Sequence, residues 1–293
     1  MKPRKWTSNS LSVIDTVPLE DQSSSSIKFS SNQFAVTKTL EVQWVPQSDT
    51  LTFPSVEFAE IPATKRSILS QLCKLFDPLG LLSPYSVRAK IIMQQIWLLG
   101  SEWDDPVSKE VHREFCQWLN ELSDLSEVSC PRWILCDDNT STTYVHVFAD
   151  ASKVAYGAVA YASVLKPDGY VSQLIASRSR VASLKQISIP RLELVACTLA
   201  VRLGCKICTV LNLDKRCLRF WTDSLNVIAW IKNQSRTFKT FIANRVSEIQ
   251  SNSEAHQWKH VPSAQNPADL VSRGATIRNL ANSQIWWQGP DLI

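Results

Sequence analysis

Four carboxylates in the second half of this 293-residue chain fall at the ends of expected elements, where they can do chemistry. Asp150 closes an alternating stretch in Phe148-Ala149-Asp150-Ala151-Ser152, and Glu193 lies in the first turn of a long helical pattern, Pro190-Arg191-Leu192-Glu193-Leu194. Asp223 ends an apolar run in Trp221-Thr222-Asp223-Ser224, and Asp269 opens the last helical pattern in Asn266-Pro267-Ala268-Asp269-Leu270. Each also has an ordinary use. Asp223 suits an N-cap, Asp269 suits the positive end of a helix behind Asn266 and Pro267, and Asp150 suits a turn. Glu193 is harder to explain that way, because its neighbours at +4, +7 and +11 are Cys197, Ala200 and Gly204. A carboxylate at the head of a small, apolar stripe needs a counter-charge. If the four converge, their repulsion raises their pKa values unless cations are bound. With no Cys or His in the set, hard Mg²⁺ or Mn²⁺ ions are selected. Two such ions about 4 Å apart activate a water and stabilise the leaving oxygen of a phosphodiester. The residues therefore point to metal-dependent phosphoryl transfer.

The elements that must hold them change character near residue 140. Before it lie a Ser-rich loop over residues 22–33, a strand over Thr39–Val45, a short strand at Thr50–Phe53, and helical patterns from Lys65, from Pro84 to Leu99 and from Val107 to Leu122. Residues 123–140 read as a connector. After it come strands over 143–149, 155–164 and 171–177, then a helix from Ser188 or Pro190 to Leu211. A buried strand at Cys217–Thr222, helices over 224–232 and 238–251, a strand at His256–Val261 and a helix from about Asn266 complete the pattern. The order βββαβααβα predicts an α/β mixed sheet with flanking helices.

Charge divides at the same place. Residues 1–140 hold 13 Lys+Arg against 18 Asp+Glu, and residues 141–293 hold 18 against 9. A basic unit beside an acidic one suggests that the second binds a polyanion. No apolar run reaches the ~20 residues of a membrane span. The start, Lys2-Pro3-Arg4-Lys5, leads into no apolar stretch, so neither membrane insertion nor secretion is expected. The eight cysteines are accordingly read as reduced intracellular thiols. Cys205 and Cys208 form the close pair, inside a helix and without a second pair for zinc.

The wording around the carboxylates, FADAS, SRSRVASLKQISIPRLELVA, FWTDSLNVIAWI and WKHVPSAQNPADLVSRG, resembles the ribonuclease H domain in the Pol polyprotein of BEL/Pao-type LTR retrotransposons. RKWTSNS, LEVQWVP and KRSILSQLCKLFDPLGLLSP resemble the segment after the polymerase catalytic motif of the same family, which is also labelled a retrotransposon peptidase. The resemblance covers nearly the whole chain. It implies the end of a reverse-transcriptase palm over 1–60, a helical thumb and connection over 61–140, a ribonuclease H-like domain over 141–280, and a tail over 281–293 towards an integrase region. It also implies that Asp150, Glu193, Asp223 and Asp269 hold two Mg²⁺ or Mn²⁺ ions and cut the RNA strand of an RNA–DNA hybrid. His260, nine residues before Asp269, is a candidate helper for product release or water positioning. His256 and His260 form an HxxxH pair on an expected strand, with no third ligand for zinc. Ser152, Ser224 and Asn226 beside the carboxylates, and Arg178, Arg180, Lys185, Lys232, Lys239 and Arg245 around them, are the expected nucleic-acid contacts. The remaining expected partners are the rest of the Pol polyprotein, palm, fingers and integrase, in a cytoplasmic particle or the nucleus.

Two other readings stay open. One is a nucleic-acid-binding scaffold derived from a reverse transcriptase, without catalysis. The other is an aspartic peptidase by family label. That chemistry needs Asp-Thr/Ser-Gly loops, whereas Asp223-Ser224 runs into Leu225 and Asp150 into Ala151. Polymerase activity is not expected, because Asp104-Asp105 and Asp137-Asp138 lack the flanking strands of a catalytic hairpin.

Overall fold

The computed structural model describes residues 4–22, 37–39, 42–54, 62–134, 143–167, 169–185 and 187–293. The Ser-rich loop (beyond Gln22) and Asp137-Asp138 lie outside the described residues.

The first part begins with a short helix, α1 (Leu11–Ile14), and three strands, β1 (Thr37–Thr39), β2 (Val42–Val45) and β3 (Thr50–Thr52). The single strand expected over Thr39–Val45 is two, paired antiparallel with Thr39 opposite Val42. Three helices follow: α2 (Lys65–Leu72), α3 (Ser83–Leu98) and α4 (Lys109–Asn120). Thr64 starts α2 in a reciprocal cap with Ser67. The apolar pattern from Lys65 runs on at helical spacing to Phe76, but the helix stops at Leu72. Strand β4 (Ser129–Pro131), inside the expected connector, then returns to pair with β3 and completes a four-stranded antiparallel sheet. That sheet joins strands from both sides of residue 60.

The second part is a five-stranded mixed sheet in the order β7-β6-β5-β8-β9, made of β5 (Thr143–Ala151), β6 (Ala155–Lys166), β7 (Gly169–Val181), β8 (Leu218–Thr222) and β9 (Trp258–His260). β5, β6 and β7 form an antiparallel meander, while β8 and β9 run parallel to β5. The connections carry α5 (Ile189–Leu211), α6 (Leu225–Lys232) and α7 (Thr240–Asn252). After β9 come α8 (Ala268–Arg273), α9 (Ile277–Ala281) and α10 (Gln284–Gln288). The fold is the expected α/β one, a ribonuclease H-like mixed sheet with flanking helices preceded by a mostly helical segment. β9 is shorter than the expected strand, because Ala255–Gln257 is a 3-10 turn closed by Glu254 and Gln257. His256 therefore lies outside the strand and pairs with Glu254 at 3.0 Å.

Side-chain alternation along the strands divides the core. Val145, Val147, Ala149 and Ala151 of β5 and Ala158, Ala160 and Ala162 of β6 face α5. Phe148, Val159 and Tyr161 face the opposite way, into a core shared with α3, α4, Val271 of α8 and Trp286 of α10. Small residues meet on the α5 side. A Cβ on Gly204 would lie 2.9 Å from Leu218 and 3.3 Å from Val147, so glycine lets the helix lie close on the sheet. The stretch 281–293, expected as a tail, is packed into the fold. Trp286 is fully buried and its indole N–H donates to Leu81 O at 2.9 Å, while the Tyr161 hydroxyl donates to Trp286 O at 2.9 Å. Among the described residues, no helix is long and apolar enough to cross a membrane.

Candidate active site

Asp150 lies near the end of β5 and is 7% exposed. Its carboxylate accepts a hydrogen bond from the Ser272 hydroxyl of α8. Burial pushes its pKa up to about 6; the Ser272 bond opposes the rise, and the charges of Asp223 and Asp269 add to it. Glu193, just past the first turn of α5, is half-buried. Burial raises its pKa, a hydrogen bond from Ser224 lowers it, and the Asp223 charge raises it again. Asp223 follows β8 directly. One of its oxygens accepts from the Ser263 hydroxyl at 2.5 Å, while its Oδ1 is buried with no hydrogen-bond partner. Asp269, on α8, is held by Arg273 one turn later, Nε to Oδ1 at 2.5 Å. Arg273 also feels the charges of Asp150 and Asp223. The Cys197 thiol beneath is pushed up, first by burial, with Glu193, Asp223 and Asp150 all contributing. Four carboxylates from four elements therefore share one electrostatic neighbourhood at one end of the sheet.

Local chemistry explains how α8 is delivered there. The Asn266 carboxamide accepts from the Ala268 N–H at 3.2 Å and donates to Ala149 O at 3.2 Å, joining the start of α8 to the end of β5. Gly157, opposite Asp150 on β6, leaves room for it. A Cβ there would come within 2.2 Å of Val271 Cγ1 and 2.7 Å of Arg178 O. Gly157→Ala is expected to force α8 outward and to destabilise the fold by about 2 kcal/mol, a fall of roughly 5 °C in Tm. A thermal melt checks this; an unchanged midpoint would show that α8 is free to shift.

Hard oxygens and an orphaned, buried Asp223 oxygen suit a divalent cation in kind. Among the described residues, however, no three His, Cys, Asp or Glu side chains stand close enough to enclose a metal ion. Arg273 and the three serines, Ser272, Ser263 and Ser224, hold carboxylate oxygens instead.

The other expected contacts are distributed around this centre. The Ser152 hydroxyl is used within the fold, donating to Ser272 O at 2.7 Å and taking the N–H groups of Val154 and Ala155. Ser224 caps α6 through Val227 N and reaches Glu193. Asn226 is exposed on the first turn of α6. Arg178 is exposed, but its Nη1 donates to Pro78 O at 2.8 Å. Arg180 lines a groove of about 420 Å³ together with Tyr156, Arg202, Arg245 and Glu248. Arg245 stacks on Phe241, 3.6 Å from the ring centroid, and partial burial lowers its pKa. Lys185, Lys232 and Lys239 are exposed near element ends. His260 is exposed at the end of β9, opposite Thr222, the residue before Asp223. Asp104, outside any catalytic hairpin, forms a surface pair with Arg66 at 2.8 Å. Asn266 caps the start of α8 as expected, whereas sequence reasoning missed Ser263, Ser272 and Arg273. The last two stand three and four residues after Asp269, the spacing that puts them on its side of a helix.

Comparison with known proteins adds the family. The model described as Pao retrotransposon-like RNaseH-like domain matches residues 64–224, a stretch that includes Asp150, Glu193 and Asp223 and ends before Asp269. Among solved structures, the foamy viral protease-reverse transcriptase dRH in complex with double-stranded DNA is 12% identical, over 78% of this chain and 37% of that one, with a TM-score of 0.47. The foamy viral protease-reverse transcriptase in complex with double-stranded DNA is 11% identical over 78% and 45%, with a TM-score of 0.40. RNase H1 from the halophilic archaeon Halobacterium salinarum NRC-1 is 14% identical over 43% and 90%, with a TM-score of 0.26. These scores are too low to carry residue roles across, and the chain spans less than half the length of the two viral chains. No curated protein matches the chain. The matched residues make up more than half of the chain, which therefore belongs to the Pao retrotransposon-like RNaseH-like domain family.

Proposed function

We propose that this chain is a piece of a retrotransposon Pol polyprotein whose residues 141–280 hydrolyse the RNA strand of an RNA–DNA hybrid. The observation that supports it most is the grouping of Asp150, Glu193, Asp223 and Asp269 at one sheet end, with Asp150 raised to about 6 and an Asp223 oxygen left bare. Such a cluster is costly unless it has a use for cations. The four carboxylates would hold two Mg²⁺ or Mn²⁺ ions, which supply an activated water and stabilise the leaving oxygen when bound.

The chain's own groups prepare that site. Ser272 and Ser263 orient single oxygens of Asp150 and Asp223, and Ser224 fixes Glu193. Arg273 neutralises Asp269. His260 is exposed at the same sheet end, in position to handle a proton near the cut strand. Basic residues around the site, Arg180, Lys185, Lys232, Lys239 and Arg245, would meet phosphates of a hybrid read by its backbone and 2′-hydroxyls. Residues 1–60, 61–140 and 281–293 are taken as the end of a palm, the thumb and connection, and the approach to an integrase region.

A second reading, a hybrid-binding scaffold without cleavage, is favoured by the Arg273–Asp269 pair and by the absence of a three-ligand enclosure among the described residues. A labelled hybrid incubated with Mg²⁺ or Mn²⁺ separates the two. Cleavage of the RNA strand, reduced on the order of 10²–10³-fold by Glu193→Gln, is expected. Binding with no cleavage in either metal would establish the scaffold.

A further inference from the structure

A second cluster of reactive groups lies at the opposite end of β8 from Asp223. Cys208 sits in the last turns of α5 and is 2% exposed, whereas Cys217, half-buried, closes the 3-10 turn that leads into β8. Their sulfurs are 3.8 Å apart. The intervening chain is folded back so that the two meet. Asn212 takes a left-handed φ of 53°, and Leu213 N–H donates to Cys208 O at 2.8 Å. The Asp214 side chain then caps the turn through Arg216 N, and Cys217 N–H donates to Asp214 O at 3.0 Å. Cys205, the neighbour that sequence spacing singles out, points elsewhere, with its Sγ 3.8 Å from Asn252 O on α7.

We propose that Cys208 and Cys217 form a redox-active dithiol that a hydroperoxide closes into a disulfide, clasping the end of α5 to the start of β8. The sulfurs must approach to about 2.0 Å, a movement of under 2 Å that side-chain rotation on the short turn provides. The attacking group is Cys217. It is the more exposed of the two, and its contact with Cys208, the Val145 N–H and the Arg219 charge hold its thiol below the usual range against the effect of burial. The thiolate attacks one peroxide oxygen, the O–O bond breaks, and the departing alkoxide takes a proton to leave as alcohol. Cys217 is then a sulfenic acid. Cys208 sulfur, losing its proton, attacks the Cys217 sulfur, the S–O bond breaks, and hydroxide leaves as water. Two thiols have lost two electrons and two protons, and the peroxide has become alcohol and water.

The clasp lies away from the carboxylates, so it does not depend on the proposed cleavage. The test uses the full chain treated with hydrogen peroxide, then denatured for thiol titration and peptide mapping. Two of the eight thiols are expected to disappear, in a linked Cys208–Cys217 peptide lighter by two hydrogens. Tm should rise by roughly 5 °C and return on reduction. Cys217→Ser should abolish the link, and Cys205→Ser should leave it intact. Eight thiols remaining, a linked peptide containing Cys205, or Cys217 over-oxidised without a link would each overturn the proposal.

Discussion

Asp150→Asn is expected to remove hybrid cleavage and, in the absence of divalent metal, to make the protein more stable. The first effect, on the order of 10²–10³-fold, follows if Asp150 is one of the groups that organise the reacting phosphate. The second follows from burial. Burial, and after it the charges of Asp223 and Asp269, push the Asp150 pKa up to about 6 in the fold from an ordinary value of 3.8. A carboxyl whose pKa is raised on folding stabilises the fold, relative to neutral pH, below its unfolded pKa. That advantage is lost as pH rises through the folded value. The penalty thus begins near pH 4 and is complete above pH 6, with a ceiling of about 3 kcal/mol. Asparagine keeps the shape and can still accept from Ser272, but carries no charge. In EDTA, variant and wild type should melt together near pH 3.5, and the variant should melt several degrees higher at pH 7. Mg²⁺ should raise the wild-type midpoint by mass action and move the variant less. Equal midpoints from pH 4 to 7 would show that Asp150 is not charged under strain. Undiminished cleavage would sink its role.

That coupling of cost and use explains what could be read from the sequence. Asp150, Glu193, Asp223 and Asp269 were legible because a carboxylate at the head of a small, apolar stripe or the end of a buried strand breaks the pattern around it. The long elements were legible for the same reason. β5, β6 and α5 carry a clear period, and their small faces, Ala158, Ala160 and Ala162 against Ala196, Ala200 and Gly204, match. What escaped has no period to show. β4 is three residues long and finds its partner β3 about 80 positions earlier. α10 is five residues, and only the burial of Trp286 against Leu81 reveals its place. Ser272 and Arg273 were invisible as carboxylate partners because serine and arginine after an aspartate on a helix have many uses. The Cys208–Cys217 contact was hidden for the same reason: Cys205 and Cys208 are the neighbours in sequence, whereas Cys217 meets Cys208 only once the loop has folded back.

Gly80→Ala is expected to be among the most damaging substitutions for the fold, although it is no part of the candidate active site. The Asp77-Pro78-Leu79-Gly80 turn between α2 and α3 is built by Asp77, whose two oxygens accept from Leu81 N at 2.9 Å and Leu82 N at 2.7 Å. The finished turn docks on β7. Ser177 N–H donates to Leu79 O at 2.8 Å, the Ser177 hydroxyl donates to Gly80 O, and Arg178 reaches Pro78 O. Gly80 has a φ of +76°, and a Cβ there would lie 2.1 Å from Ser177 O. Alanine therefore adds about 1–2 kcal/mol of left-handed backbone strain to a clash with main chain that no rotamer relieves. The turn must leave the strand, and three cross-links between the helical segment and the sheet go with it. The total loss should be about 3–5 kcal/mol, because buried N–H and C=O groups are left unpaired. Calorimetry should show one transition for the wild type, whose helical segment shares its core with one face of the sheet, and two for the variant, with the segment over 62–134 melting first. Hybrid cleavage should fall with it, because α8, which carries Asp269 and Ser272, packs in the same core as α3, while β5, α5 and β8 keep their own core on the other face. A single transition at an unchanged midpoint would mean that the turn does not couple the two parts, and would require a separate account of why glycine stands there.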